Sequence, residues 1–228
     1  AALKTAHELL DAERYTRPPV YAAPLYAAAA MVAEYRGKHG EADRLLEILA
    51  DTWSSSDLAK VTEHPHATWC KHTGPIYLRR GQFDVVERLV AAGELPRIGH
   101  EGDRLGLLCE LVAATGSWDR ADSVVAETRA TGQAYGLQAL QAHADRLEGR
   151  ASLASGDDRG GRALLAAARD RFFALGDRWE AARTVLDLAA AGADADVAAA
   201  GALFTTIGAL SEAAAARRLA SSRQPAGH

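Results

Sequence analysis

Cysteine is nearly absent: Cys70 and Cys109 are the only two in 228 residues. Two thiols cannot supply the disulfide framework of a secreted scaffold, so the chain reads as one that folds around its own core in a reducing cytoplasm. Methionine is scarcer still, with Met31 alone, and the sequence opens on alanine. It is therefore expected to be a piece of a longer polypeptide or a processed product. Long apolar runs are missing too. The alanine-rich stretches 22–33 and 186–193 fall short of the about 20 residues that cross a bilayer, and charge interrupts or flanks them. The first residues join no basic patch to an apolar stretch and hold no small-residue cleavage site, so export is not expected. Nor is positive charge in excess. A formal net charge of -4 and a pI near 6.1 give no general attraction for phosphate backbones or anionic lipid, which excludes nucleic acid and membrane as default partners.

What is present is the balance of a folded soluble protein, 48% hydrophobic and 25% charged. Apolar residues recur at spacings of three and four, as in Leu105, Leu108, Cys109, Leu111 and Val112, or Ala181, Val185, Leu188 and Ala189, and almost nowhere alternate. That period is helical, and it predicts about eleven helices. Glycines at 37, 81, 116, 132, 156, 176, 192 and 208 each follow a helical stretch, where a left-handed C-cap belongs. Pro18, Pro19 and Pro65 suit first turns, as does Pro24, whereas Pro75 is expected to kink the helix around it or split it at Gly74. Residues 54–65 and 93–102 read as the longest connections.

Aligned on their turn glycines, the segments share a register. Seven residues before Gly37, Gly81, Gly116, Gly156 and Gly192 stand Ala30, Gly74, Cys109, Gly149 and Val185; five residues after stand Ala42, Val86, Ala121, Gly161 and Val197. Small residues at fixed offsets on both members of a helix pair let two antiparallel axes approach closely. The glycines recur 44, 35, 40 and 36 residues apart. With that spacing, Ala30-Gly37-Ala42, Gly74-Tyr77-Gly81-Phe83 and Cys109-Gly116-Trp118-Ala121 resemble tetratricopeptide repeats (TPR).

The stretch Arg171-Phe172-Phe173-Ala174-Leu175-Gly176-Asp177-Arg178-Trp179-Glu180-Ala181-Ala182-Arg183, with Leu203-Phe204 and Ile207-Gly208-Ala209, is similar to repeat regions of bacterial multidomain regulators. Such regions accompany signal-transduction ATPases, LuxR-type transcription factors and adenylate cyclases. The resemblance implies an all-α, right-handed α-solenoid of about five antiparallel helix pairs. It would form one repeat domain over 1–220 with a disordered tail at 221–228, and would serve as a sensor or scaffold segment. The chain carries no phosphate-cradling glycine loop ending in Lys-Ser or Lys-Thr and no DNA-reading helix-turn-helix, so such activities would belong to other domains.

Candidate sites follow from charge and chemistry. His64, His66, Cys70 and His72 are of zinc-ligating types, but Cys70 holds a packing position, the first two histidines flank Pro65, and no second ligand pair stands at finger-like spacing. No metal and no cofactor is expected. Cysteine catalysis would need a histidine such as His100 or His143 brought to a thiol, whereas both cysteines read as buried small hydrophobes, so no enzyme is expected. Asp157-Asp158 and the pair Asp194 and Asp196 precede helices, where carboxylates cap exposed amides. Trp53, Trp69 and Trp118 read as filler between helices.

If first helices line a groove, its walls would carry Glu34, Tyr35, Lys71, Arg79, Glu110, His143, Arg146, Arg150 and Trp179. Arg79, Arg146 and Arg150 could then hold an acidic peptide or a C-terminal carboxylate, or else form an ordinary solvated helix face. On the first view, glutamate at 146 and 150 should abolish binding and leave folding intact. The partner expected is a protein or peptide, with self-association through an uncovered terminal helix open as well. The alternative is a receptor for a small ligand or signalling peptide whose superhelix changes curvature on binding.

Overall fold

The computed structural model describes residues 23–54, 70–92 and 101–222. These residues form eleven α-helices and no strand: α1 Ala23–Tyr35, α2 His39–Ser54, α3 Cys70–Arg79, α4 Phe83–Ala92, α5 Glu101–Thr115, α6 Ala121–Ala134, α7 Gln138–Ala154, α8 Asp158–Ala174, α9 Arg178–Ala190, α10 Val197–Ile207 and α11 Leu210–Ser222. A single turn of 3₁₀ helix, Trp118–Arg120, leads into α6. Pro18, Pro19, His64, Pro65, His66, Trp69, His100 and the segment 223–228 lie outside the described residues.

The turns explain why the helices end where they do. All eight glycines with positive φ stand one or two residues past a helix, at φ between 66° and 91°. After α8, for instance, Gly176 N–H donates to the Phe173 carbonyl and Asp177 N–H to that of Phe172, which satisfies carbonyls the helix leaves open. Asp177 then caps the next helix by accepting from Glu180 N–H at 3.1 Å. Asp157 and Asp196 do the same for α8 and α10. The capping role read for Asp157 and Asp196 is therefore what the structure shows. One turn is displaced: Gly132 is a buried residue within α6, and the left-handed glycine is Gly136. Pro75 does not split its helix either, since α3 is continuous from Cys70 to Arg79.

The chain divides into two compact units, Ala1–Leu107 and Leu108–His228, with the boundary inside α5. In the first unit α1 packs on α2 and α3, and α3 on α4. Tyr26, Ala29, Ala30, Leu45, Leu46 and Ile76 make its core. Gly74 is small because a Cβ there would collide with the Leu107 side chain. Arg80, at the end of α3, donates from Nε and Nη2 to buried Glu34 of α1 and from Nη1 to Asp43 of α2, tying three elements together.

In the second unit each helix from α6 to α11 packs on the next, and α9 also meets α11. Phe172 and Phe204 are fully buried, among Ala142, Ala168 and Ala181 in one cluster and Ala182, Ala200, Ala209 and Ala213 in another. Burying each ring is worth roughly 2 to 3 kcal/mol, and the surrounding alanines let the axes come close enough to bury it. The fixed-offset positions Ala42, Val86, Cys109, Ala121 and Val197 are all buried, as their register requires.

Candidate functional site

Six charged side chains from three helices of the second unit meet at one place. Arg146 and Arg150 stand one turn apart on α7; Glu180, Arg183 and Asp187 recur at three and four residues along α9; Glu110 comes from α5. Arg146 donates from Nε to Asp187 Oδ2 at 2.7 Å, and from Nη1 to Glu110 at 3.0 Å and Glu180 at 2.8 Å. Arg150 grips both oxygens of Asp187 through Nε and Nη2, at 2.8 to 3.1 Å. Arg183 closes the ring on Glu110 at 2.6 Å and Glu180 at 3.0 Å. Three guanidinium groups thus balance three carboxylates.

The charges of the ring sustain one another. Burial pushes the Glu110 carboxyl up, yet Arg146, Arg183 and Arg150 outweigh it and hold the group well below its ordinary range. Asp187 is likewise lowered by Arg146 and Arg150 against the opposing effect of burial. Half-buried His143 sits against the ring of Phe172, edge to face with centroids 5.0 Å apart, and its Nδ1 is shielded from solvent without a hydrogen-bond partner. Burial lowers its pKa, Glu180 and Glu110 oppose that, and Arg146 and Arg183 add to it.

Beside the ring a groove of about 330 Å³ opens between α7, α9 and α11. Arg146, Arg150, Arg183 and Arg218 line it, with Asp187 and Glu212 as its carboxylates and Leu186 and Ala215 as its apolar surface. Arg218 is exposed.

The residues expected to share one groove are distributed differently. Glu110, Arg146 and Arg150 do come together, and His143 adjoins them through its electrostatic contact with Glu110. The Arg146 side chain is only 3% exposed, and its Nε and Nη1 donate to Asp187, Glu110 and Glu180, so it belongs to the frame of the site. The expectation that glutamate at 146 and 150 leaves folding intact is corrected accordingly: those substitutions would set new carboxylates against Glu110, Glu180 and Asp187. Trp179 turns toward α10 and packs edge to face on Phe204, with centroids 5.3 Å apart. The remaining candidates lie in the first unit. Glu34 is buried and held by Arg80 and His39, the Arg79 guanidinium lies 4.4 Å over the ring of Tyr35, and exposed Lys71 stands 3.7 Å from Asp103.

Glu180, Arg183, Asp187 and Arg218 were missed from sequence. The signal for three of them was there: Glu180, Arg183 and Asp187 follow the three- and four-residue steps of a single helix face. Cys70 and Cys109 are both buried, and burial pushes each thiol up to about 12. Cys109 Sγ lies 3.5 Å from the Thr128 hydroxyl.

Among the described residues no helix is long and apolar enough to cross a membrane, and no group of three or more His, Cys, Asp or Glu is placed to hold a metal ion. No family model matches the chain, and no curated protein or solved structure matches it at a significant level.

Proposed function

We propose that the chain is a non-catalytic binding module built of TPR-like helix pairs, part of a cytoplasmic bacterial regulator, whose groove on α7, α9 and α11 receives a carboxylate-bearing protein or peptide. The observation that carries this reading is the groove itself, lined by four arginines from three helices. Two of those helices, α7 and α9, each precede a register glycine, Gly156 and Gly192, as the first of a pair does, which is where a right-handed solenoid would present a guest surface. A volume near 330 Å³ is at the small end of ligand sites, and it suits a peptide terminus or a few acidic side chains. Its lining is mainly charged, with Leu186 and Ala215 the apolar members, so it favours a charged guest over an apolar small ligand. The buried cysteines, with thiols near 12, also suit a packing role better than a nucleophilic one.

The test is binding of a fluorescently labelled hexaglutamate peptide at low salt, followed by anisotropy. Arg218→Glu, at an exposed residue on the groove wall, should weaken binding at least about tenfold, because like charges across a contact repel. Arg217→Glu, on the same helix but outside the groove, should weaken it much less than Arg218→Glu. Equal affinities for all three proteins would overturn the reading.

A further inference from the structure

The arginine groove holds a carboxylate already, supplied by the chain itself. Asp187 lines the cavity from α9 and faces Arg146 and Arg150 on α7. Both of its oxygens meet the Arg150 fork, the geometry in which guanidinium recognises a carboxylate or phosphate. Arg150 also pairs with Glu110, whose oxygen lies 3.8 Å from Nη1 and beyond hydrogen-bond reach. Arg146 differs, because Glu110 and Glu180 also hold it. Loss of Asp187 would therefore free Arg150 above all, and at a wall of the cavity.

The ring's charge balance points the same way. With three arginines matched by Glu110, Glu180 and Asp187, a further anion added to the intact ring would be in excess, whereas one replacing Asp187 would restore the balance. Taking the groove to be the binding site, we infer that Asp187 is an internal competitor: it occupies the Arg150 fork in place of an external oxyanion, and a guest must displace it to bind. Asp187 then sets the specificity of the groove. A single weak carboxylate gains little by exchange, while a guest with several acidic groups, or a phosphate with its greater charge, can both displace Asp187 and engage Arg218.

The experiment compares wild type, Asp187→Asn and the double variant Asp187→Asn, Arg150→Gln, each titrated with inorganic phosphate and with labelled hexaglutamate. Asparagine keeps the shape and removes the charge. The expected result is binding at least about tenfold tighter in Asp187→Asn than in wild type, for phosphate, hexaglutamate or both, with the gain lost in the double variant. A gain with the peptide alone assigns the fork to protein carboxylates, and a gain with phosphate alone assigns it to a free anion. Equal affinity of wild type and Asp187→Asn, or a gain that survives removal of Arg150, overturns the inference. If wild type binds hexaglutamate through Arg218 without such a gain, the competitor fails and the groove reading stands; if no protein binds either probe, both fail. Should Asp187→Asn not fold, Asp187→Ser repeats the comparison with a smaller neutral acceptor.

Discussion

Gly149 on α7 and Gly161 on α8 lie face to face. A Cβ on Gly161 would stand 2.7 Å from the Gly149 carbonyl oxygen, and one on Gly149 would stand 3.0 Å from that of Gly161. No side chain can yield at such a contact, because the obstacle is backbone. The absence of a Cβ at both positions is what lets these two helices approach, and with them the alanines that surround Phe172.

Gly161→Ala is accordingly expected to destabilise the protein even though alanine is the better helix former. Propensity returns about 1 kcal/mol, while forcing an atom into a packed contact costs about 1 to 3 kcal/mol. Gly40→Ala is the control, since a Cβ at that helical position meets nothing within 4 Å. Urea unfolding should show a lower midpoint for Gly161→Ala and an unchanged or higher one for Gly40→Ala. A midpoint for Gly161→Ala at or above that of wild type would remove the argument for close approach.

Arg146 gives the second prediction. With its side chain 3% exposed and three carboxylates bonded to it, its removal leaves Glu110, Glu180 and Asp187 short of a counter-ion. Arg146→Ala should cost about 3 to 5 kcal/mol, the range for breaking a buried ion pair from one side, and Arg146→Glu should cost more. Substitution of exposed Arg218 should leave the unfolding midpoint within experimental error. Equal stability of the Arg146 and Arg218 variants would show that the ring does not hold α5, α7 and α9 together.

How much of this was legible in the sequence depends on whether the relevant signal was local. Helical period, turn glycines and aspartate caps all act within a few residues, and they located nearly every described helix. The ring was harder because its pairs, apart from Arg183 with Glu180 on one helix, lie 34 to 73 residues apart. A hint was nevertheless written in the register: Glu110 stands six residues before Gly116 and Arg150 six before Gly156, equivalent positions with opposite charge. Helix faces read singly look solvated; read as neighbours, they pair. The division within α5 had no such marker, since the helical pattern runs through Leu107 and Leu108 without a break.

The displaced turn makes a third prediction. Thr131-Gly132-Gln133-Ala134-Tyr135-Gly136-Leu137 offers two glycines four residues apart, and a spacing rule cannot choose between them. Bonding does: Leu137 N–H donates to the Gly132 carbonyl at 2.8 Å, which closes the helix only if Gly136 takes the left-handed position at φ 68°. Gly136→Ala should therefore destabilise by about 1 kcal/mol through backbone strain alone, since nothing lies within 4 Å of its Cβ site. Gly136→Asn should recover part of that loss, because asparagine tolerates the left-handed region better. If Asn and Ala at this position unfold at the same urea concentration, strain is not what the glycine relieves.

Acid should unfold the protein in two stages, and the sign of each follows from the direction of the shifts. His143 and His72 have folded-state pKa values below the ordinary 6.5, chiefly through burial, so the unfolded chain binds more protons as pH falls through that range. Their contribution is whole above pH 6.5 and is lost progressively below it. Glu110, Asp187 and Glu34 are lowered by their arginines, so their stabilisation is present above the unfolded values of 4.5, 3.8 and 4.5 and disappears as pH falls through the folded ones. Melting temperature should thus decline gently from pH 7 toward 5 and steeply below about 4.5, where the unfolded carboxylates begin to take up protons. His143→Phe, which preserves an aromatic ring beside Phe172, should flatten the upper part of the curve and leave the lower part in place. An unchanged slope between pH 7 and 5 in that variant would show that the imidazole beside the ion ring does not sense pH in this range.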